Sequence, residues 1–314
     1  MSNNRSSTRD GFGDAMIAIG ETNQNVFALT ADLTESVRLA AFEKNFPERF
    51  VQVGVAEQQL AGISAGLALA DKIPVAASYA AFQPANSWGV IRTSIALQNL
   101  NVKLVGAHAG LATGPDGATH QSLEDIALMR VLPNFTVLQP ADYQEAREAT
   151  QVMVQHTGPT YLRISKISVP ALQFLEPFAI GKMRTIQAGS DITIIGTGAV
   201  FSEVLAANKQ LQDEGISVRI LNCSSIKPLD VATILTAARE TTGIITIEDH
   251  QIAGGMGSAI AEVLAATTLG KPCIRLGVQD MFGESGQQPE LYKKFKISAQ
   301  AITETAARIL AKKY

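Results

Sequence analysis

ERFVQVGVAEQQLAGISAGLAL (residues 48–69) holds two periodicities in one run. FVQV at 50–53 is a short strand-like segment. From Glu57 to Ala70 apolar or small residues then follow almost continuously, the pattern of a helix buried on most of its surface. A strand feeding such a helix is half of a βαβ unit, and outward from it the unit repeats. VFALTA (26–31), PVAASY (74–79), VKLVGA (102–107), TVLQ (136–139) and YLRI (161–164) are further strand-like runs separated by helical stretches. The pattern pauses at residues 170–177 and resumes with DITIIG (191–196), VRILNC (218–223), GIITIE (243–248) and CIRLGV (273–278). The alternation predicts an α/β protein of two domains, residues 1–180 and 181–314, each a mainly parallel sheet flanked by helices. A last helix is expected over about 298–312, with Ile302, Ala306, Ile309 and Leu310 on one face and Lys312 and Lys313 complementing its dipole.

Composition agrees. The chain has 314 residues, about twice a usual domain of roughly 150. With 46% apolar and 18% charged residues, disorder is excluded as the main theme. The 26 basic and 29 acidic residues are mixed along the chain, so no basic stripe invites nucleic acid. Cys223 and Cys273 lack the spacing of a zinc or redox motif and read as buried small apolar residues in a reducing compartment. The polar start, MSNNRSSTRD, has no apolar core of signal length, and Asp71 and Lys72 interrupt the most apolar region; a soluble, cytoplasmic protein is expected.

Several residue groups suggest chemistry. GGMGS (254–258) opens a helix but lacks the full dinucleotide fingerprint and does not directly follow its strand, so it reads as packing; at Gly196 and Gly198, Phe201 stands where a third glycine belongs. The four histidines form no local metal pattern. His156 ends a polar helical stretch and reads as a solvated surface residue; His250 reads as structural or as a contact to a neighbouring subunit. His108 ends a strand and His120 follows the glycine-bearing loop GPDGAT, places where parallel sheets present functional groups. Glu57 reads either as a surface or capping glutamate or as a general acid/base, since a carboxylate at the mouth of an apolar helix is partly desolvated and holds its proton more tightly.

RDGFGDAM (9–16), ADLTES (31–36), residues 48–69, GPDGATHQSLEDIALMRVLPN (114–134), QPAD (139–142), IEDHQIAGGMGSAIAEVL (247–264) and MFGESG (281–286) together closely resemble the latter half of transketolases over practically the whole chain. The pyrimidine-binding domain would come first and the C-terminal transketolase domain second. The family's Gly-Asp-Gly motif, followed some thirty residues later by the Asn that shares its metal, has no counterpart here. The chain thus resembles the second subunit of a split transketolase, whose partner, the N-terminal subunit, brings the diphosphate and Mg2+ site; a hard cation needs oxygen ligands of that kind. The resemblance implies a heterotetramer with two copies of each chain, inactive in isolation, acting on sugar phosphates.

Residue by residue, the resemblance makes Glu57 the acid that hydrogen-bonds the aminopyrimidine nitrogen of thiamine diphosphate and favours its imino tautomer, and Phe82 the aromatic stacked on that ring, unless Phe82 is plain core. Asp32 lines up with an aspartate near the thiamine, Asp116 with one that contacts the donor sugar, and His120 with the histidine at the reacting hydroxyl. Arg9, Ser36 and His108 match positions that bind a sugar phosphate. Arg163 and Lys166 compete for a further phosphate-binding position, Arg163 being the weaker of the two. The chain departs from the family at QPANSWGV (83–90), where split transketolases usually carry a Gly-Arg-Ala-Tyr-Asp-Gln type of string, and at Pro115, which replaces a common Glu. Trp88 is the candidate to fill the missing tyrosine's space. Three other readings stand beside this one. The beta subunit of a 2-oxo-acid dehydrogenase shares the two-domain plan and an equivalent glutamate but carries a different histidine loop. A deoxyxylulose-phosphate synthase shares the DGxTHQ loop but is normally one long chain. The third is a non-catalytic partner that retains the fold.

Overall fold

The computed structural model describes residues 5–174 and 176–312. In the first half, strands β1 (Arg5–Ser7), β2 (Val26–Thr30), β3 (Phe50–Gln52), β4 (Ile73–Tyr79), β5 (Lys103–Ala107), β6 (Thr136–Leu138), β7 (Thr160–Arg163) and β8 (Ser168–Pro170) alternate with helices α1 (Thr8–Thr22), α2 (Ala40–Asn45), α3 (Glu57–Leu69), α4 (Trp88–Val90), α5 (Asp125–Arg130) and α6 (Tyr143–Gln155). In the second half β9 (Arg184–Gln187), β10 (Ile192–Gly196), β11 (Val218–Asn222), β12 (Ser225–Lys227), β13 (Ile244–Gln251) and β14 (Cys273–Val278) alternate with α7 (Phe201–Asp213), α8 (Val231–Glu240), α9 (Met256–Ala265), α10 (Gln288–Lys294) and α11 (Ala299–Leu310). Every strand predicted from the sequence is present.

The larger sheet has the order β12-β6-β7-β5-β4-β2-β3 and the smaller β14-β13-β10-β11-β9. All their pairings are parallel except those of β12 and β9. Strand β12 joins the larger sheet although it lies beyond residue 181, so the second half supplies an edge strand to the first. The central strands β4 and β5 are buried nearly throughout, as strands covered on both faces must be. In α11 Ile302, Ala306 and Ile309 face the core, with Leu310 half-buried; Lys312 is exposed, and Lys313 lies outside the described residues. Among the described residues no helix is long and apolar enough to cross a membrane.

Helix α3 departs from expectation. Glu57, Leu60, Ala61, Ser64 and Ala65 are buried, but the opposite face is open although, beyond the exposed Gln58 and Gln59, it is apolar: Val55 just before the helix is 79% exposed, Ile63 38% and Leu69 64%. Cβ atoms built on Gly62 and Gly66 would meet nothing within 4 Å. Two further expectations change. His156 is half-buried rather than solvated, its Nε2 3.3 Å from Thr136 Oγ1. Cys223 is buried as expected, but Cys273 is only half-buried; burial pushes both thiols up, Cys273 to about 11.

Candidate functional site

Parallel strands present the loops at their C-terminal ends along one edge of the sheet. Here β3, β2, β4, β5 and β7 are consecutive neighbours, and beyond their ends lie, in turn, Glu57, Asp32, Phe82, His108 and Lys166. Two of the strand ends carry strain: Asp32 and His108 are non-glycine residues at φ 59° and 54°, left-handed values that persist only where surroundings impose them. The Asp32 amide donates to Gln52 Oε1 at 2.7 Å, and the His108 carbonyl accepts from Thr113 Oγ1.

Around His108 an aromatic cluster forms. Tyr79 lies against its ring with centroids 4.1 Å apart, Phe82 stacks on Tyr79 at 6.0 Å, and His120 meets Phe82 edge-on at 5.2 Å. Arg9, in the first turn of α1, brings Nη1 to 3.2 Å from His108 Nε2 and donates to the Ser36 carbonyl at 3.3 Å. Because a guanidinium only donates, Nε2 must accept and the ring proton sits on Nδ1. Burial, Arg9 and Lys166 together push the His108 imidazole down to about 3, so it is neutral near pH 7. Burial and nearby Arg38 also lower the Arg9 guanidinium. An arriving dianion would relieve this crowding of positive charge. Lys166 Nζ donates to Asp116 Oδ2 at 3.1 Å, tying the GPDGATH turn to the end of β7. His120 Nδ1 lies 2.8 Å from Thr119 Oγ1.

Glu57 is the first residue of α3 and 9% exposed. Among the described residues nothing donates a hydrogen bond to its carboxylate. Next to it, Gln58 Nε2 reaches the Asn86 carbonyl at 3.2 Å, and Trp88 Nε1 donates to the Leu128 carbonyl at 2.9 Å. The unusual segment 83–90 is thereby fixed between α3 and α5. Phe82 is half-buried rather than core. This edge of the sheet therefore offers a nearly buried acid without a partner among the described residues and a partly open aromatic surface, groups that suit a flat heteroaromatic ring bearing a protonatable nitrogen. Among the described residues no group of three or more His, Cys, Asp or Glu side chains is placed to hold a metal ion.

Arg163 lies outside this cleft. It is 2% exposed, with Nε 2.8 Å from Asp125 Oδ2, and Nη2 bonded to Asp125 Oδ1, the Ser122 carbonyl and the Asp249 carbonyl. Nε and Nη2 of this guanidinium are thus committed to groups of its own chain, away from Asp116 and Lys166. Of Ser36, the structure brings to Arg9 the carbonyl rather than the hydroxyl. His250 is a packing residue: fully buried, it donates from Nδ1 to the Gln251 carbonyl at 2.7 Å and accepts the Ala127 amide on Nε2 at 3.4 Å. At the GGMGS turn the amides of Met256 and Gly257 are taken by the Glu248 carboxylate at 2.7 and 2.8 Å, so the start of α9 is filled from within. Two participants escaped the sequence reading. Tyr79 is signalled only by its place at the end of a strand, three residues before Phe82, and Asp249 carries no local signal.

Family models match the chain as the transketolase pyrimidine-binding domain over residues 4–171 and the transketolase C-terminal domain over 181–302. A transketolase C-terminal section from Methanocaldococcus jannaschii is 40% identical over 299 residues, covering 94% of each chain. A 6-deoxy-6-sulfo-D-fructose transketolase subunit from a Clostridium strain is 35% identical over 308 residues, covering 97% of this chain and 95% of its own. Among solved structures, one described as a split gene transketolase, inactive beta4 tetramer, superposes with a TM-score of 0.91 at 37% identity, covering 98% of this chain and all of the other.

Proposed function

The chain belongs to the transketolase family, and from that premise we propose that it is the pyrimidine-side subunit of a two-chain enzyme that moves a two-carbon ketol unit from a ketose phosphate to an aldose phosphate. One observation carries the reading: Glu57 is nearly buried, its carboxylate has no hydrogen-bond partner among the described residues, and it stands at the head of a helix whose outer face is largely apolar and open. A second chain covering that face would complete the desolvation of the acid. The cofactor in this reading is thiamine diphosphate, whose thiazolium, when bound, supplies the carbon nucleophile for ketol transfer. Glu57 holds the proton on the pyrimidine nitrogen, Phe82 packs on that ring, and Asp32 lies at the margin of the same pocket. Arg9 and Lys166 supply positive charge for a sugar phosphate. His108 adds a neutral imidazole and Ser36 lines the entry. Asp116 and His120, on one turn, take the sugar hydroxyls. The diphosphate and its Mg2+ belong to the partner chain, and two copies of each subunit make the working assembly. Residues near 180 divide the pyrimidine-binding domain from the C-terminal one.

The test is reconstitution. With thiamine diphosphate and Mg2+, the chain alone is expected to show no ketol transfer from a ketose phosphate, assembled only with itself as the inactive structural relative is described. Addition of the chain encoding the diphosphate half should restore transfer. Turnover by the isolated chain would overturn the split-site reading.

A further inference from the structure

We infer that Asp249, on the second sheet, is a positioning residue for the cleft, holding in place the turn that carries Asp116 and His120; the inference rests on the proposed function only for what that turn does. Beyond β5 the backbone bends through Gly110, at φ 80°, into a helical turn over Leu111–Asp116. The first amides of such a turn have no partner within it. Here both are taken from across the molecule: Leu111 N–H donates to Asp249 Oδ1 at 2.8 Å and Ala112 N–H to Oδ2 at 2.9 Å. Tyr292, on α10, donates its hydroxyl to the same Oδ2 at 3.0 Å. A Cβ on Gly110 would overlap the Asp249 carboxylate, so glycine permits the approach as well as the positive φ.

The far end of the turn is held from the same side. Gln121 Nε2 donates to the Gly114 carbonyl at 3.0 Å and to the Glu284 carbonyl at 2.9 Å, and the Gln251 amide donates to the Leu123 carbonyl at 2.8 Å. Asp249 is itself fixed, being 2% exposed with its carbonyl accepting from Arg163 Nη2 at 3.0 Å. The turn assigned to the sugar is thus clamped by the other domain, whereas Glu57 and Phe82 are placed by β3, α3 and β4. Loosening the clamp should harm donor turnover and spare cofactor binding.

Asp249→Asn keeps the side chain's size but sets an amide against one of three donors. In the isolated chain, hydrogen exchange at the Leu111 and Ala112 amides should accelerate about tenfold or more, with β4 and β10 unchanged. In the reconstituted pair kcat/KM for the ketose phosphate should fall about tenfold or more, while KM for thiamine diphosphate stays within about twofold. Tyr292→Phe, which removes one donor and leaves the turn formed, should raise exchange at Ala112 by about threefold and carries the test if the Asn variant does not fold. Unchanged exchange overturns the inference. So does faster exchange with normal donor kinetics, or equal loss of cofactor and donor. A wild-type pair without ketol transfer overturns the functional reading instead, and the exchange data then decide the clamp by themselves.

Discussion

At the scale of single residues, burial decides which side chain does what. β7 carries Tyr161 and Arg163 two residues apart, so the pleat sends both to the same side, where both bond Asp125. Lys166 lies past the strand end and reaches Asp116 instead. Sequence left the Arg163 and Lys166 registers open because related families place a phosphate-binding cation at either position; the pleat shows only that Arg163 is turned toward Asp125 and Lys166 toward Asp116. For Glu57 the sequence showed its place at the head of an apolar helix after a strand, but local pattern left a surface or capping glutamate open beside an acid/base. Glu57→Gln preserves its size but cannot hold a proton on a ring nitrogen. Its kcat in the reconstituted pair is expected to drop by about 10²–10⁴-fold while the thermal midpoint of the chain stays near wild type. Steady-state kinetics beside a melting curve reads both, and wild-type turnover in the Gln variant would remove Glu57 from the mechanism.

At the scale of elements, α3 was found correctly as a helix but mistaken in its surroundings, because an apolar stretch signals burial without saying whose surface buries it. Leu60, Ala61 and Ala65 pack inward, while Ile63, Leu69 and two glycines are left facing out. A face so flat allows close approach of another chain. Ile63→Glu keeps helix propensity and touches no core, so the isolated chain should lose no more than about 0.5 kcal/mol. Assembly with the partner should weaken at least about tenfold, since a charge would be buried there unpaired; sedimentation velocity of the mixed chains measures it. Unaltered assembly would place the partner elsewhere. The elements missed from sequence, β1, β8, β9 and β12, are three or four residues long and pair antiparallel. Runs so short carry little periodicity, and their partners lie far along the chain.

At the scale of the whole molecule, the two halves are bound by polar groups buried between them. Glu145 on α6 accepts from Ser224 at 2.6 Å, from Asn222 at 2.8 Å and from Arg184 at 3.3 Å, all of the second half. His250 on β13 accepts the Ala127 amide of α5. Burial pushes its imidazole down to about 4 from the ordinary 6.5. A folded value below the unfolded one means that the unfolded chain binds the extra proton first, so this stabilisation is present above pH 6.5 and is lost as pH falls toward 4. Between pH 7 and 5 His250 should account for about 2 kcal/mol of lost stability. Urea unfolding at both pH values should show the loss shrinking by about that amount in His250→Gln; an unchanged difference would mean that the imidazole charges without cost. Local pattern alone established the strand and helix alternation and the α/β class, because each depends on neighbours within a few residues. Which face of α3 stays open, which cation is buried, and how Asp249 takes the amides of a turn more than a hundred residues away were decided only by tertiary structure. Burial and hydrogen-bond partnership depend on what the rest of the chain brings near, and no local period encodes that.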